Sequence, residues 1–123
     1  MTLQELYETI GGDYEQAMRV LRMDKLLDKH IRKLIQNGVI DQLLAAGEEM
    51  NGEQLFETAH AAKGVCANLG LNVLAGMASD IAEEYRPGST RKLSDEEVAG
   101  KLKSLADFYQ KTVEGIRRYE AGC

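Results

Sequence analysis

The chain has only two histidines, and one of them, His60, sits in a setting that suggests chemistry. It lies within Leu55-Phe56-Glu57-Thr58-Ala59-His60-Ala61-Ala62-Lys63-Gly64-Val65-Cys66-Ala67-Asn68-Leu69-Gly70. At about 100° per residue on a helical wheel, Leu55, Ala62, Cys66 and Leu69 fall on the side opposite His60, with Thr58, Ala59 and Val65 flanking them. Glu53, Phe56, Glu57, Lys63, Gly64 and Ala67 fall within about 60° of His60 on either side. If the apolar stripe packs inward, the imidazole faces water, with a lysine at i+3 and a glycine at i+4. A neutral imidazole, whose unperturbed pKa is about 6.5, is a competent nucleophile near neutral pH. Its attack on an acyl phosphate gives a phosphoramidate that can pass the group on. Such transfer needs access, orientation and nearby positive charge, which Lys63 can supply. A glycine inside a helix costs about 1 kcal/mol relative to alanine. At Gly64 that cost clears space beside the histidine.

Other readings of the same residues are weaker. A surface histidine beside a solvated lysine is the plain alternative. Glu57-Thr58-Ala59-His60 matches Glu-x-x-His, but a di-iron bundle needs a second such pair and two more inward carboxylates. The other histidine, His30, has Leu27 three residues before it, and its neighbours Leu26, Ile31 and Leu34 suit a structural role at the edge of an apolar stripe. Cys66 lies about 240° around the helix from His60 and cannot form a nucleophile pair with it. Glu83-Glu84 and Asp95-Glu96-Glu97 read as solvated surface and as a match to a helix N-terminus. There is no Walker-type phosphate loop or nucleotide signature, so ATP-dependent kinase activity is not expected.

The elements that must position His60 are all helical. Thr2-Leu3-Gln4-Glu5 is a capping box for a short helix that stops at Gly11-Gly12. Asp13 restarts helix to about residue 22, and Asp24 can cap the next segment. That segment runs over 23–49, with a kink or turn at Asn37-Gly38. Asn51 caps the histidine helix over about 52–70, which Gly70 ends. Asn72 is expected to cap a helix over 73–85 with Val73, Leu74, Met77, Ile81 and Tyr85 on one face, and Pro87-Gly88 closes it. Ser94-Asp95-Glu96-Glu97 is the clearest capping box. It opens a last helix with Val98, Leu102, Leu105, Phe108 or Tyr109, Val113, Ile116 and Tyr119 as its stripe. Short links predict an all-α, up-down antiparallel four-helix bundle, with the short N-terminal helices capping one end. An apolar strip on the last helix serves equally as core or as a dimer face.

Composition bounds the rest. The 123 residues suit a single domain, 1–123, with 44% hydrophobic and 28% charged residues. The formal net charge of −5 argues against nucleic acid as main partner. No window reaches the 18 or more apolar residues of a membrane span, and Met1-Thr2-Leu3-Gln4-Glu5 does not resemble a signal peptide, so the expected setting is cytoplasmic, with no membrane partner. Cys66 and Cys123 do not make a disulfide framework.

Ala59-His60-Ala61-Ala62-Lys63-Gly64 followed by Asn68-Leu69-Gly70 resembles the signature of histidine-containing phosphotransfer (HPt) domains, His-x-x-Lys-Gly with a small-residue run ending in Leu-Gly. The match is tight over this helix and looser from about Met23 to Tyr85. One departure is Ala62, at a position often bulky and aliphatic in that family; it is expected to loosen the core slightly beneath the site. The resemblance implies a four-helix bundle carrying a phosphoryl group on His60, stabilised by Lys63, to and from receiver-domain aspartates of a two-component phosphorelay. Phe56, Glu57, Gly64, Ala67 and Asn68 would then meet the partner, although Phe56 equally suits packing against a neighbouring helix and Asn68 a polar helix end. The implied partners are response-regulator receiver domains, including that of a hybrid histidine kinase. No metal site or cofactor is expected on this chain, Mg2+ belonging to the partner receiver, and the carrier is expected to be a monomer. The alternative function is a helical adaptor that binds receiver or kinase domains without being phosphorylated.

Overall fold

The computed structural model describes residues 1–36 and 38–122. Among these the chain forms seven helices and no strand: α1 (Leu3–Ile10), α2 (Tyr14–Leu21), α3 (Asp24–Leu34), α4 (Val39–Glu49), α5 (Gly52–Asn68), α6 (Asn72–Glu84) and α7 (Asp95–Ala121). Local chemistry sets most of the starts. Thr2 and Ser94 each form a complete capping box, with Glu5 and Glu97 as reciprocal partners. Asp13 and Asn51 accept the N–H groups of Gln16 and Gln54. The segment expected over 23–49 is two helices, broken between Leu34 and Val39; Asn37 of the expected turn lies outside the described residues, as does Cys123.

Two expected caps are displaced by one residue. Met23 and Leu71 occupy the N-cap positions of α3 and α6, neither with a side-chain cap bond. Asp24 instead accepts the Tyr14 hydroxyl, and Asn72 exchanges hydrogen bonds with Gln16, so both side chains tie α2 to a neighbouring element.

α5 lies at the centre of the packing. It contacts α6 most extensively, then α4 and, less, α2; α7 meets α6, α4 and α1. Leu55, Ala59, Ala62 and Cys66 are completely buried on α5, and α6 answers with Leu74, Ala75, Ala78, Ile81 and Ala82. Alanines are prominent among the buried residues of both helices, and Ala62 is fully buried. The α7 stripe also turns inward: Val98, Leu102, Leu105, Tyr109, Val113, Ile116 and Tyr119 are buried, with Phe108 only half-buried. These residues therefore serve the chain's own core. Val73, expected on the apolar face of α6, is exposed, because the true stripe is shifted onto Leu74 and the alanines.

The C-terminal end of α5 is tied down by α1 and α2. The Tyr7 hydroxyl donates to Leu69 O at 2.6 Å, Gln16 Nε2 to Ala67 O at 3.0 Å, and Asp13 N–H to Gly70 O at 2.8 Å. These bonds satisfy carbonyls that a helix end leaves without intrahelical donors.

The loop between α6 and α7 is pinned by Glu84, whose buried carboxylate accepts the Lys92 and Leu93 N–H groups and the Arg91 guanidinium. The Leu93 N–H above all, helped by Arg91 and Lys92, holds this carboxyl below its ordinary 4.5. A carboxyl whose folded pKa is depressed stabilises fully above its unfolded pKa and loses that contribution as pH falls through the folded value. The unfolding temperature should therefore drop as the pH is taken below about 4.5. Glu84→Gln should be less stable than the wild type at pH 7, with the gap narrowing by pH 3. A gap unchanged across that range would refute the assignment.

Candidate functional site on α5

His60 is exposed near the middle of α5, on the side away from buried Leu55, Ala59, Ala62 and Cys66. The orientation follows from the helical period alone. Its ring stacks on Phe56 one turn earlier, with centroids 5.5 Å apart and planes 18° from parallel. Phe56 is half-buried against the core, so it restrains the imidazole and leaves less of its own surface open than the sequence suggested. Packing therefore accounts for part of its role.

Lys63 is half-buried one turn C-terminal to His60 and makes no ion pair among the described residues. Its charge is nonetheless felt on α6. The Glu83 carboxyl lies below the usual carboxylate range chiefly because Arg86 hydrogen-bonds it, and Lys63 adds a smaller pull.

Gly64 is exposed, and a Cβ added there would meet nothing within 4 Å. Internal packing therefore does not require glycine at this position. Glu57 is exposed on the same flank of His60 as Gly64, away from Lys63, and borders a shallow depression between α4 and α5 with Gln42, Glu49 and Thr58.

His60, Lys63, Phe56, Glu57 and Gly64 thus form one surface patch within a turn of the histidine. Ala67 and Asn68 lie about 10–12 Å further along the axis. Ala67 is half-buried under the Gln16 hydrogen bond, and exposed Asn68 borders a separate groove. That groove was not legible beforehand. Val65, placed beside the apolar stripe, is 38% exposed at its edge, and His30 lines it as a half-buried residue.

Cys66 is fully buried, and burial pushes its thiol up to about 12, so it stays protonated and offers no nucleophile. Among the described residues no group of three or more His, Cys, Asp or Glu side chains is placed to hold a metal ion. Among the described residues no helix is long and apolar enough to cross a membrane. No family model, no curated protein and no solved structure matches the chain.

Proposed function

We propose that this chain is an HPt-type phosphocarrier, taking a phosphoryl group onto His60 from the aspartyl phosphate of a receiver domain and returning it to another. The observation that carries this reading is the patch around His60: an exposed imidazole stacked on Phe56, a lysine one turn on with no ion pair among the described residues, and a glycine that the described packing does not need. In the forward step a ring nitrogen's lone pair forms an N–P bond while the P–O bond to the aspartyl carboxylate breaks and the carboxylate leaves. Lys63 offsets charge on the phosphoryl oxygens as they arrive, and the Phe56 stack limits the imidazole's rotation. Glu57, Gly64, Ala67 and Asn68 are read as the surface the partner covers. The receiver would bring its own Mg2+.

The architecture is read as a four-helix bundle of α4, α5, α6 and α7. Contacts run α4 to α5, α5 to α6, α6 to α7 and α7 back to α4, which supports that reading. The proposed carrier works as a cytoplasmic monomer.

Gly64 gives a direct steric test. Gly64→Met places a good helix former where there is open space, so thermal stability should rise by about 0.5–1 kcal/mol. Phosphoryl exchange with a receiver should slow at least tenfold, because a side chain now stands where the partner must close. Unchanged exchange would remove the steric account of this glycine.

The carrier and the adaptor are separated by incubating the purified chain with phosphorylated receiver domains. Label moving onto this chain identifies a carrier. Receivers that bind without giving up phosphate would favour the non-phosphorylated adaptor.

A further inference from the structure

A second site lies two turns along α5 from His60, and it is independent of the phosphoryl-transfer reading. A half-open groove of about 450 Å³ runs between α2, α3, the start of α4 and the end of α5. This volume is within the range of about 300–1,000 Å³ common for small-molecule sites. Its walls are mainly apolar, from Leu21, Leu34, Val39, Val65 and Leu69. Among the described residues the polar side chains lining it are His30, Lys33 and Asn68, and no acidic one borders it. None of the three makes a side-chain hydrogen bond or ion pair among the described residues.

Charge around the groove is uneven for so acidic a chain. Between Arg19 and Lys33 stand six of the fifteen Lys and Arg, against two acids, Asp24 and Asp28. Both acids are already engaged: Asp24 by the Tyr14 hydroxyl, and Asp28 by Arg32 and the Tyr119 hydroxyl. Arg19, Arg22, Lys25, Lys29 and Lys33 have no ion-pair partner among the described residues. With Glu15 of α2 counted, residues 14–34 hold six Lys and Arg against three acids, so the two helices on that side of the groove carry net positive charge, while the groove lining is mainly apolar. Val20, 49% exposed, extends the apolar surface at the mouth.

We propose that this groove binds a small amphiphilic anion, its apolar body against Leu34, Val65 and Leu69 and its acidic head at Lys33, with His30 and Asn68 in hydrogen-bonding reach of that head. A mainly apolar cavity whose charged lining group is a lysine, with no carboxylate among the described lining residues, favours an anionic head over a neutral or cationic one.

The test is NMR titration of the full chain with decanoate, decanol and decyltrimethylammonium, each kept below its micelle concentration. Decanoate should give saturable shifts at Leu21, Leu34, Val65 and Leu69, and the other two should bind roughly tenfold more weakly or not at all. Lys33→Glu should weaken decanoate binding roughly tenfold, whereas Lys103→Glu, on exposed α7 surface, should leave it unchanged. Val65→Phe should fill the groove and remove binding with every charge in place. Equal affinity for the three head groups, or shifts that do not saturate at groove residues, would overturn the proposal. So would binding to phosphatidylglycerol vesicles without binding of monomeric decanoate, which would assign the basic face to a lipid surface.

Discussion

His60→Gln should reduce phosphate incorporation from a phosphorylated receiver to background while leaving the fold intact. Glutamine keeps a planar polar group of similar reach but has no nitrogen lone pair able to form the phosphoramidate. The side chain is exposed and touches the fold mainly through its stack on Phe56, so stability should change by no more than about 0.5–1 kcal/mol. Circular dichroism and thermal unfolding should therefore nearly superimpose on the wild type while transfer is lost. Lys63→Ala should behave differently: slower transfer with the phosphate still on His60, because the lysine offsets charge and does not form the bond. If His60→Gln accepts phosphate as well as the wild type, the nucleophile is another residue.

The largest expected loss of stability is at Gly70. Its φ is +69°, a left-handed conformation in which a side chain is strained, and an added Cβ would run into the Asp13 carbonyl oxygen. That oxygen cannot rotate away, since it belongs to the backbone that caps α2 and whose N–H donates to Gly70 O. Gly70→Ala should cost at least about 2 kcal/mol, roughly 6–10 °C in the unfolding temperature of a chain this size. Gly11 separates the two causes. Its φ is +72°, but a Cβ there would meet nothing within 4 Å, so Gly11→Ala should cost only about 1 kcal/mol. Equal losses at the two glycines would mean that the collision with Asp13 is relieved at little cost.

Much of this was legible because it is local. The capping boxes at Thr2 and Ser94 need only residues three apart, and the helical period alone put His60 opposite Cys66. The failures came where a side chain had a competing tertiary partner or where alanine carried the packing. Asp24 and Asn72 look like caps in sequence, yet Tyr14 and Gln16 claim them. On α6 the buried face is built largely from Ala75, Ala78 and Ala82, which hydropathy weights lightly, so exposed Val73 drew the pattern toward itself. At the site, the period placed Phe56 beside His60 but could not say that the two rings stack. The groove draws one to three residues from each of four helical elements, a convergence that no periodic pattern reports.

The central claim is that phosphate resides on His60 as a phosphoramidate. The most direct measurement exposes the wild-type chain to a phosphorylated receiver domain, maps the modified residue by mass spectrometry and follows loss of the label in acid and in base. The expected result is one phosphate on the peptide containing His60, lost in acid and retained in base. A base-labile acyl phosphate, or a label mapped to any residue other than His60, would contradict it.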